Sequence, residues 1–438
     1  MLFLNYKKTL KNKNYRKLIA LFFIAVFCMC SLCACSLGGS KASKKNYITI
    51  GRICPLTGEY SEYAEGTLET ERAAVEALNE SGGIYVDTLD KKLMVRYLLE
   101  DSGSTKLGAE AAANKLINEE HADVIIVSDT NATVNAVSGV CEKAKVPCFC
   151  VNAEMDSWLA QGPYKYCFNI SYDTEGQLVA AEEVIKENGV SNLGLITDSF
   201  EEGKAFAEKA QKFCTDEKIK VVAFSFGEEI VKQLKTGNVD GILCYLGTDD
   251  YISLKADINR AEIGLKASIL VNEHWPYTEL SANSQSASFD ETYIPVCWAP
   301  VYEYESSLTK QSGADLEDWW KKEYVSPCPE TVGYRHGIIE VVVDVLRRAM
   351  AVDSESVVNA AHDISLDTVL GPIAYSRNNS VVLSCTPAQW HYEGSSALGE
   401  NKWVETVTVK KNSKKVEESE TEKETTVEEK TDSDSKDK

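Results

Sequence analysis

The side chains that most often carry catalysis or bind metals are sparse and scattered in this chain. Its five histidines share no spacing, and the ten cysteines after Cys35 contain no Cys-x-x-Cys pair. A Gly-x-Ser-x-Gly elbow, a Walker loop and a Gly-x-Gly-x-x-Gly after the first predicted strand are all missing from the sequence. We therefore predict no enzyme, no metal site and no bound cofactor. Cys141 and Cys148 either pair across the turn at 144–147 or are small buried apolar residues.

The N-terminus has the residue order of an export signal. Six basic residues within 7–17 precede an apolar and sulfur-bearing run over 18–30, and small residues then lead to Cys35. A membrane-spanning helix needs about 20 apolar residues, which makes a permanent anchor the weaker alternative. Residues 32–35, Leu-Cys-Ala-Cys, also resemble the signal of bacterial lipoproteins. That resemblance implies a signal peptide over 1–34, acylation of Cys35, a linker over 35–46 and attachment to the outer face of a membrane.

Composition separates the remaining chain into a globular part and a tail. Loss of 1–34 would change the net charge from −21 to −27, which disfavours nucleic acid as a partner. The stretch 47–411 is longer than one compact core usually holds, so two domains are predicted. Over 412–438 the chain is mostly Glu, Lys, Thr, Ser and Asp, with two hydrophobic residues. This composition predicts a disordered acidic tail.

Short β-branched runs alternate with amphipathic helical stretches throughout the globular part. Residues 47–54 alternate as a strand, residues 67–79 have helical apolar spacing, and a second series of the same kind starts at 192. The pattern predicts an α/β protein with two lobes, each a doubly wound parallel sheet. Ligands of such sheets lie beyond the carboxyl ends of the strands. The loops after the strands are therefore the expected site.

Four motifs in the first series resemble the branched-chain amino acid class of solute-binding proteins that feed ABC transporters. They are Pro-Leu-Thr-Gly at 55–58, Ala-Leu-Asn-x-x-Gly-Gly-Ile at 77–84, Glu100-Asp101 and the helical stretch 111–116. Less specific matches continue to residue 392. The resemblance implies the type I periplasmic-binding-protein fold, in which two lobes close over one small ligand.

The same resemblance implies three chain crossovers between the lobes. They are expected near 168–171, 294–301 and 371–380. The first lobe would then comprise 47–170 and 295–375, and the second lobe would comprise 171–294 and 376–411.

Position by position, the resemblance also implies a set of ligand-binding residues. Tyr63 matches an aromatic residue that covers the ligand's side chain, with a surface tyrosine as the alternative. Phe200 matches a tyrosine before the family's Gly-x-Gly. Phenylalanine lacks the hydroxyl, so the resemblance implies only an apolar contact with the ligand, and packing in the core is the alternative. Glu273 matches the acid that accepts the ligand's ammonium, which suits an ionised carboxylate, with a solvated loop glutamate as the alternative.

The positions that bind the ligand's carboxylate in the family differ here. They read Ser-Asp-Thr-Asn at 128–131, including Asp129 and Thr130, and Asn-Ala-Glu at 152–154, including Ala153 and Glu154. A carboxylate facing a ligand carboxylate at about 4 Å would cost on the order of 4 kcal/mol. Alternatively, Asp129 caps a helix and Glu154 points into solvent. We therefore expect a small cationic or amine-bearing ligand first, a neutral peptide or amide second and a branched-chain amino acid third.

The function implied by the resemblance is capture of a small polar ligand for uptake by ABC permease subunits. The alternative keeps the fold but makes the protein a ligand-gated sensor or surface scaffold whose output is another protein. A neighbouring permease and ATPase gene pair would favour transport, whereas a neighbouring histidine kinase or chemoreceptor would favour sensing.

Overall fold

The computed structural model describes residues 45–64, 67–128, 130–271, 276–324, 326–393 and 402–407. The strands are β1 Tyr47–Cys54, β2 Ile84–Val86, β3 Lys91–Asp101, β4 Val124–Val127, β5 Cys148–Val151, β6 Cys167–Ser171, β7 Leu193–Thr197, β8 Val221–Ser225, β9 Gly241–Tyr245, β10 Ala267–Val271, β11 Thr292–Val296, β12 Leu366–Thr368, β13 Gly371–Ile373, β14 Ser380–Val382, β15 Thr386–Glu393 and β16 Lys402–Val407.

The α-helices are α1 Thr67–Glu80, α2 Lys106–Asn118, α3 Asn131–Ala144, α4 Met155–Leu159, α5 Thr174–Glu187, α6 Glu201–Asp216, α7 Ile230–Thr236, α8 Thr248–Arg260, α9 Tyr277–Ala282, α10 Gly313–Glu323, α11 Glu330–Ala349 and α12 Ser354–His362. Short 3-10 helices occupy Ser61–Ala64, Asp87–Leu89 and Ser286–Phe289. Within the described ranges, none of the helices has both the length and the apolar character needed to span a bilayer.

The first lobe is built on a sheet with the strand order β14-β6-β5-β4-β1-β3-β2. All its neighbouring strands are parallel except β2 and β3, which are antiparallel. Helices α1, α11 and α12 cover one face and α2 and α3 cover the other, so the central strand β4 is buried along its whole length. Burial on both faces explains why β4 is the uninterrupted apolar sequence Val-Ile-Ile-Val.

The second lobe is built on a sheet with the order β16-β15-β11-β10-β9-β7-β8. The strands from β8 to β11 are parallel, and β15 and β16 add an antiparallel edge. Helices α5 and α6 pack on one face, and α7 and α8 on the other. The predicted fold class is thereby confirmed, with antiparallel strands at one edge of each sheet.

Three crossovers join the lobes, and two of their positions correct the sequence prediction. Residues 168–171 belong to β6 of the first sheet, so the first crossover follows Ser171. The second crossover follows β11 and falls within the predicted 294–301. Strand β14 pairs in parallel with β6, so it belongs to the first lobe although 376–411 was assigned to the second. The third crossover therefore runs from Leu383 to β15, because a 2.8 Å hydrogen bond from the Leu383 N–H to the Ser171 carbonyl still holds that residue at the first sheet.

A close contact sets the position of α11 in the first lobe. Gly333 packs against Trp298, and a Cβ atom on this glycine would lie 2.1 Å from Trp298 Cδ2. The Trp298 ring is held in turn by a 3.1 Å hydrogen bond from its Nε1 to the Val369 carbonyl. Only glycine allows the helix to approach this closely.

Candidate ligand-binding cleft

A cleft of about 890 Å³ lies between the lobes, at the carboxyl ends of their parallel strands. On the first-lobe side, Ser128 follows β4 and Asn152 follows β5. On the second-lobe side, Tyr245 ends β9 and Val271 ends β10. Both its size and its position are typical of a small-molecule site.

Aromatic rings from both lobes line the cleft. Tyr63, which the resemblance singled out, is buried and stacks on Tyr60 with ring centroids 6.0 Å apart and ring planes inclined by 29°. From the second lobe, Phe206 and Tyr245 stack with centroids 4.9 Å apart. These two pairs provide the apolar surface that would contact the non-polar part of a ligand.

The loop after β4 brings hydroxyl groups to the cleft. Thr130 directly precedes α3 and lines the cleft. The neighbouring Asn131 accepts a 2.7 Å hydrogen bond from the Glu154 backbone N–H, which ties this loop to the loop after β5. Ser128 Oγ accepts a 2.6 Å hydrogen bond from Arg52 Nη2. Because a serine hydroxyl also has one proton to donate, Ser128 can bind Arg52 and an acceptor on a ligand at the same time.

Glu154 lines the cleft, but its carboxylate is engaged in the structure. Its Oε2 accepts a 2.7 Å hydrogen bond from the Ser157 N–H and caps α4, and its Oε1 accepts a 3.1 Å hydrogen bond from Thr174 Oγ1. Burial raises the pKa of Glu154, although the Ser157 hydrogen bond and the Lys209 ammonium oppose that shift. The alternative in which Glu154 points into solvent is wrong. Glu154 is a helix cap at the cleft wall.

An ion pair connects the lobes beside this cap. Asp156 from α4 of the first lobe pairs with Lys209 from α6 of the second lobe, and both residues line the cleft. Lys209 Nζ also donates a 3.4 Å hydrogen bond to Thr174 Oγ1. Both charged side chains are about half exposed, and pairs of this kind contribute about 0–1 kcal/mol. The pair therefore adds little to the stability of the contact between the lobes.

Two predicted ligand residues lie outside the cleft lining, and we correct their assignments. Ala153 is fully buried, and its carbonyl accepts a 2.9 Å hydrogen bond from Asn169 Nδ2. Phe200 immediately precedes α6 and is 71% exposed. Phe206, in the second turn of α6, supplies the aromatic wall that was assigned to Phe200.

The other predicted functional residues, Asp129, Glu273 and Cys35, lie outside the described residues, and their roles stay predictions. In the part of the chain that the structure describes, no three His, Cys, Asp or Glu side chains are arranged to hold a metal ion. Cys141 and Cys148 are buried free thiols. They pack in the core of the first lobe, which agrees with the interpretation of both as small buried apolar residues.

Sequence reasoning missed Arg335, a guanidinium in the cleft wall. This residue extends from α11, lines the cleft and is only 2% exposed. Burial, followed by the positive charge of Arg52, lowers the pKa of Arg335 to about 10, so the group remains charged at neutral pH. The available sequence signal was one basic residue within the otherwise uncharged-to-acidic stretch 332–346. That signal does not reveal which way the side chain faces.

A buried ion pair lies close to Arg335. Arg52 Nε donates to both carboxylate oxygens of Glu71, at 3.0 and 2.9 Å, and Arg52 Nη1 donates to the Ile53 carbonyl at 2.7 Å. Tyr97 also donates its hydroxyl hydrogen to Glu71. Pairing and hydrogen bonding of this kind make a buried charge tolerable. Glu71 thus balances Arg52, and Arg335 brings a second positive charge to the same region.

Two α/β lobes around a cleft of this kind are typical of solute-binding proteins, and a comparison of the sequence with known families gives the same class. The model of the periplasmic binding protein family matches residues 47–390, and the chain belongs to that family. It is a binding protein and not an enzyme.

Two curated proteins and one solved structure are similar to this chain. The Leu/Ile/Val-binding protein homolog 3 of Brucella melitensis is 24% identical over 349 residues, which are 76% of this chain and 88% of that protein. The Leu/Ile/Val-binding protein BraC3 of Rhizobium johnstonii is 27% identical over 161 residues, so this match spans 37% of the chain and 42% of the relative's length. The ABC transporter substrate-binding protein from Desulfitobacterium hafniense, solved in complex with Leu, superposes with a TM-score of 0.64 at 14% identity, over 82% of this chain and 100% of that one. At that identity, the superposition shows a shared fold.

Proposed function

We propose that the protein is a lipid-anchored solute-binding protein on the outer face of a bacterial cytoplasmic membrane. It captures a small amino-acid-like ligand between its lobes and delivers it to ABC permease subunits. The observation that carries this proposal is the cleft of about 890 Å³ at the strand ends of two lobes joined by three crossovers. Lobes connected in this way can close when a ligand contacts both of them.

The described residues favour a ligand that carries a carboxylate. The cationic ligand expected from the sequence depended on Asp129, Glu154 and Glu273 together, and Glu154 is occupied as a helix cap. Arg335 instead provides a positive charge in the wall, and the hydroxyls of Ser128 and Thr130 line the same cleft. A guanidinium and hydroxyl donors form charge-assisted hydrogen bonds to a carboxylate. An amino acid therefore ranks above an amine that lacks a carboxylate.

The remainder of the ligand would be apolar or aromatic and would carry an amine. The stacked pairs that include Tyr63 and Phe206 provide its apolar surface. Glu273 stays our predicted acceptor for the ammonium.

Calorimetry with chemically matched ligands tests the proposed ligand class. The mature protein, freed of copurified ligand, would be titrated with leucine and phenylalanine. Each is compared with the corresponding amine without the carboxylate, the acid without the amine, and the neutral amide. Binding of the amino acids with a large loss for the amines is expected. An amine that binds as tightly as its amino acid would refute carboxylate recognition.

Further measurements test capture and delivery. Mass spectrometry of small molecules extracted from the purified protein should identify an amino-acid-like compound, and small-angle scattering should show compaction when that compound is added back. Unchanged dimensions at saturation would instead indicate a rigid scaffold. Loss of uptake after deletion of a neighbouring permease gene would support transport, whereas intact uptake with altered signalling would favour a sensor.

The anchor has its own test. Cys35→Ser should abolish lipid labelling and leave the chain unprocessed or released from the membrane. Unchanged labelling of a mature-length protein would show that another residue carries the lipid.

A further inference from the structure

Two cysteines face each other at the hinge. Cys297 directly follows β11, Cys385 directly precedes β15, and their Sγ atoms lie 2.9 Å apart. Both are free thiols in the structure; Cys297 is buried and Cys385 is partly exposed. The two sulfurs are thus in contact although 88 residues separate them in the sequence.

The strand register independently places these residues opposite each other. In the antiparallel pairing of β11 with β15, Thr292 is opposite Trp390 and Val296 is opposite Thr386. One further step in that register sets Cys297 against Cys385. Directly opposed residues in antiparallel strands have Cα atoms about 4.5–5.5 Å apart, which lies within the range of about 4.4–6.8 Å found in disulfides. Backbone and side-chain geometry therefore agree.

The pair also lies where the crossovers converge. Cys297 begins the second crossover, and the next residue, Trp298, already packs in the first-lobe core. Cys385 ends the third crossover. A Cβ atom on Gly176, at the start of the helix that follows the first crossover, would lie 3.6 Å from Cys385 Sγ. A bond between the two sulfurs would therefore be made at the hinge itself.

We propose that Cys297 and Cys385 are oxidised to a disulfide that joins the second and third interlobe crossovers. This inference rests on the extracytoplasmic location in the proposed function, because disulfides persist in oxidising compartments. The bond would fix two of the three crossovers to each other at the second-lobe end. The bond would leave the first crossover, after Ser171, unconstrained. On the first-lobe side of the bond, Trp298 and Leu383 already pack in the core.

The reaction is a thiol–disulfide exchange with a small-molecule disulfide or a disulfide oxidoreductase as the oxidant. The Cys385 thiol loses its proton to water, attacks one sulfur of the oxidant and displaces a thiolate. The Cys297 thiol then gives its proton to the first displaced thiolate and attacks the Cys385 sulfur of the mixed disulfide, displacing the second thiolate, which takes up the proton that Cys385 released to water. Two cysteine thiols are oxidised, and the oxidant is reduced to two thiols. Cys385 attacks first because it is the more exposed thiol, whereas burial holds the pKa of Cys297 well above its usual range.

Peptide mapping tests the bond directly. Trypsin would release Cys297 in the peptide 267–310 and Cys385 in the peptide 378–402, and neither peptide contains another cysteine. The full chain, exported with its own signal and recovered from the cell envelope, would be alkylated without reduction and digested. The two peptides should appear as one linked species, two hydrogens lighter than their sum, that is lost on reduction. Cys297→Ser or Cys385→Ser should abolish the linked species, and the control Cys328→Ser should retain it.

A second arm separates failure of this inference from failure of the proposed function. Purified, reduced protein would be treated with oxidised glutathione and mapped in the same way. Two separately alkylated peptides in protein recovered from the envelope would overturn the proposal, whether or not glutathione forms the bond in solution. Fractionation and ligand calorimetry on the same preparation report location and binding independently of the cysteines.

Discussion

Replacement of Arg335 tests the proposed carboxylate site most directly. Arg335→Met removes the charge and keeps an apolar side chain of similar length, and Arg335→Lys keeps the charge but loses the planar fork of donors. Loss of one partner from a buried, hydrogen-bonded charge pair costs about 2–5 kcal/mol. Arg335→Met should therefore weaken binding of an amino acid by about 30-fold to several thousand-fold, and Arg335→Lys should weaken it less.

The same substitution should have the opposite effect on the stability of the ligand-free protein. Burial and the charge of Arg52 lower the pKa of Arg335 from 12.5 to about 10. The group stays charged at neutral pH, but burying that charge costs free energy on folding. A shift of this size corresponds to about 3 kcal/mol, which is the upper limit of what Arg335→Met would recover. We expect the urea midpoint of the ligand-free variant to be unchanged or higher.

Calorimetry and urea unfolding of the wild type and both variants would measure the two effects together. The decarboxylated amine serves as the control ligand, since its affinity should not fall in Arg335→Met. Amino acid binding within about threefold of the wild type in Arg335→Met, or equal losses for the amino acid and its amine, would refute the assignment. A variant that loses both binding and stability would indicate a purely structural role.

Three further predictions concern the hinge and the first lobe. Burial raises the pKa of Glu330 from 4.5 to about 7. Since the unfolded chain loses this proton at lower pH, the folded state loses stability as the pH rises through about 7. Glu330→Gln should therefore raise the unfolding free energy, measured by urea unfolding, by about 2–3 kcal/mol near pH 8 but little near pH 4. Gly333→Ala should lower the unfolding free energy by about 1–3 kcal/mol, since the new Cβ would lie 2.1 Å from Trp298 Cδ2; an unchanged urea midpoint would contradict the packing. Reduction of the proposed Cys297–Cys385 disulfide should destabilise the protein by about 2–5 kcal/mol, given the 88-residue separation, while thermal unfolding of Cys297→Ser should not respond to reductant.

Most of the fold was predictable because it depends on local periodicity. The four consecutive apolar residues of β4 require burial on both faces, and the amphipathic spacing of α1 requires one buried face. The short strands β2 and β16 and the helix α12 were not predicted. Elements of this size are stabilised by their partners in the fold, such as β3 for β2, and their own sequences carry little periodic signal.

The candidate site was predictable in position but only partly in chemistry. The resemblance directed attention to the loops after the strands, where Tyr63, Thr130 and Glu154 do line the cleft. It could not show that the Glu154 carboxylate is occupied by the Ser157 N–H. The resemblance also could not show that Phe200 is exposed. A shift of one residue in where a helix begins changes which of its side chains face the cleft.

By itself, the sequence determined the fold class, the membership of residues 47–390 in one family, and the edge of the sheets where a ligand would bind. These properties follow from residue order and local spacing. Only the tertiary structure decided that Arg335 of α11 reaches the cleft, that β14 belongs to the first lobe, and that Cys297 meets Cys385. Each of these depends on contacts between segments far apart in the chain. Side-chain burial, charge and sulfur proximity are set by that packing, which no local pattern records.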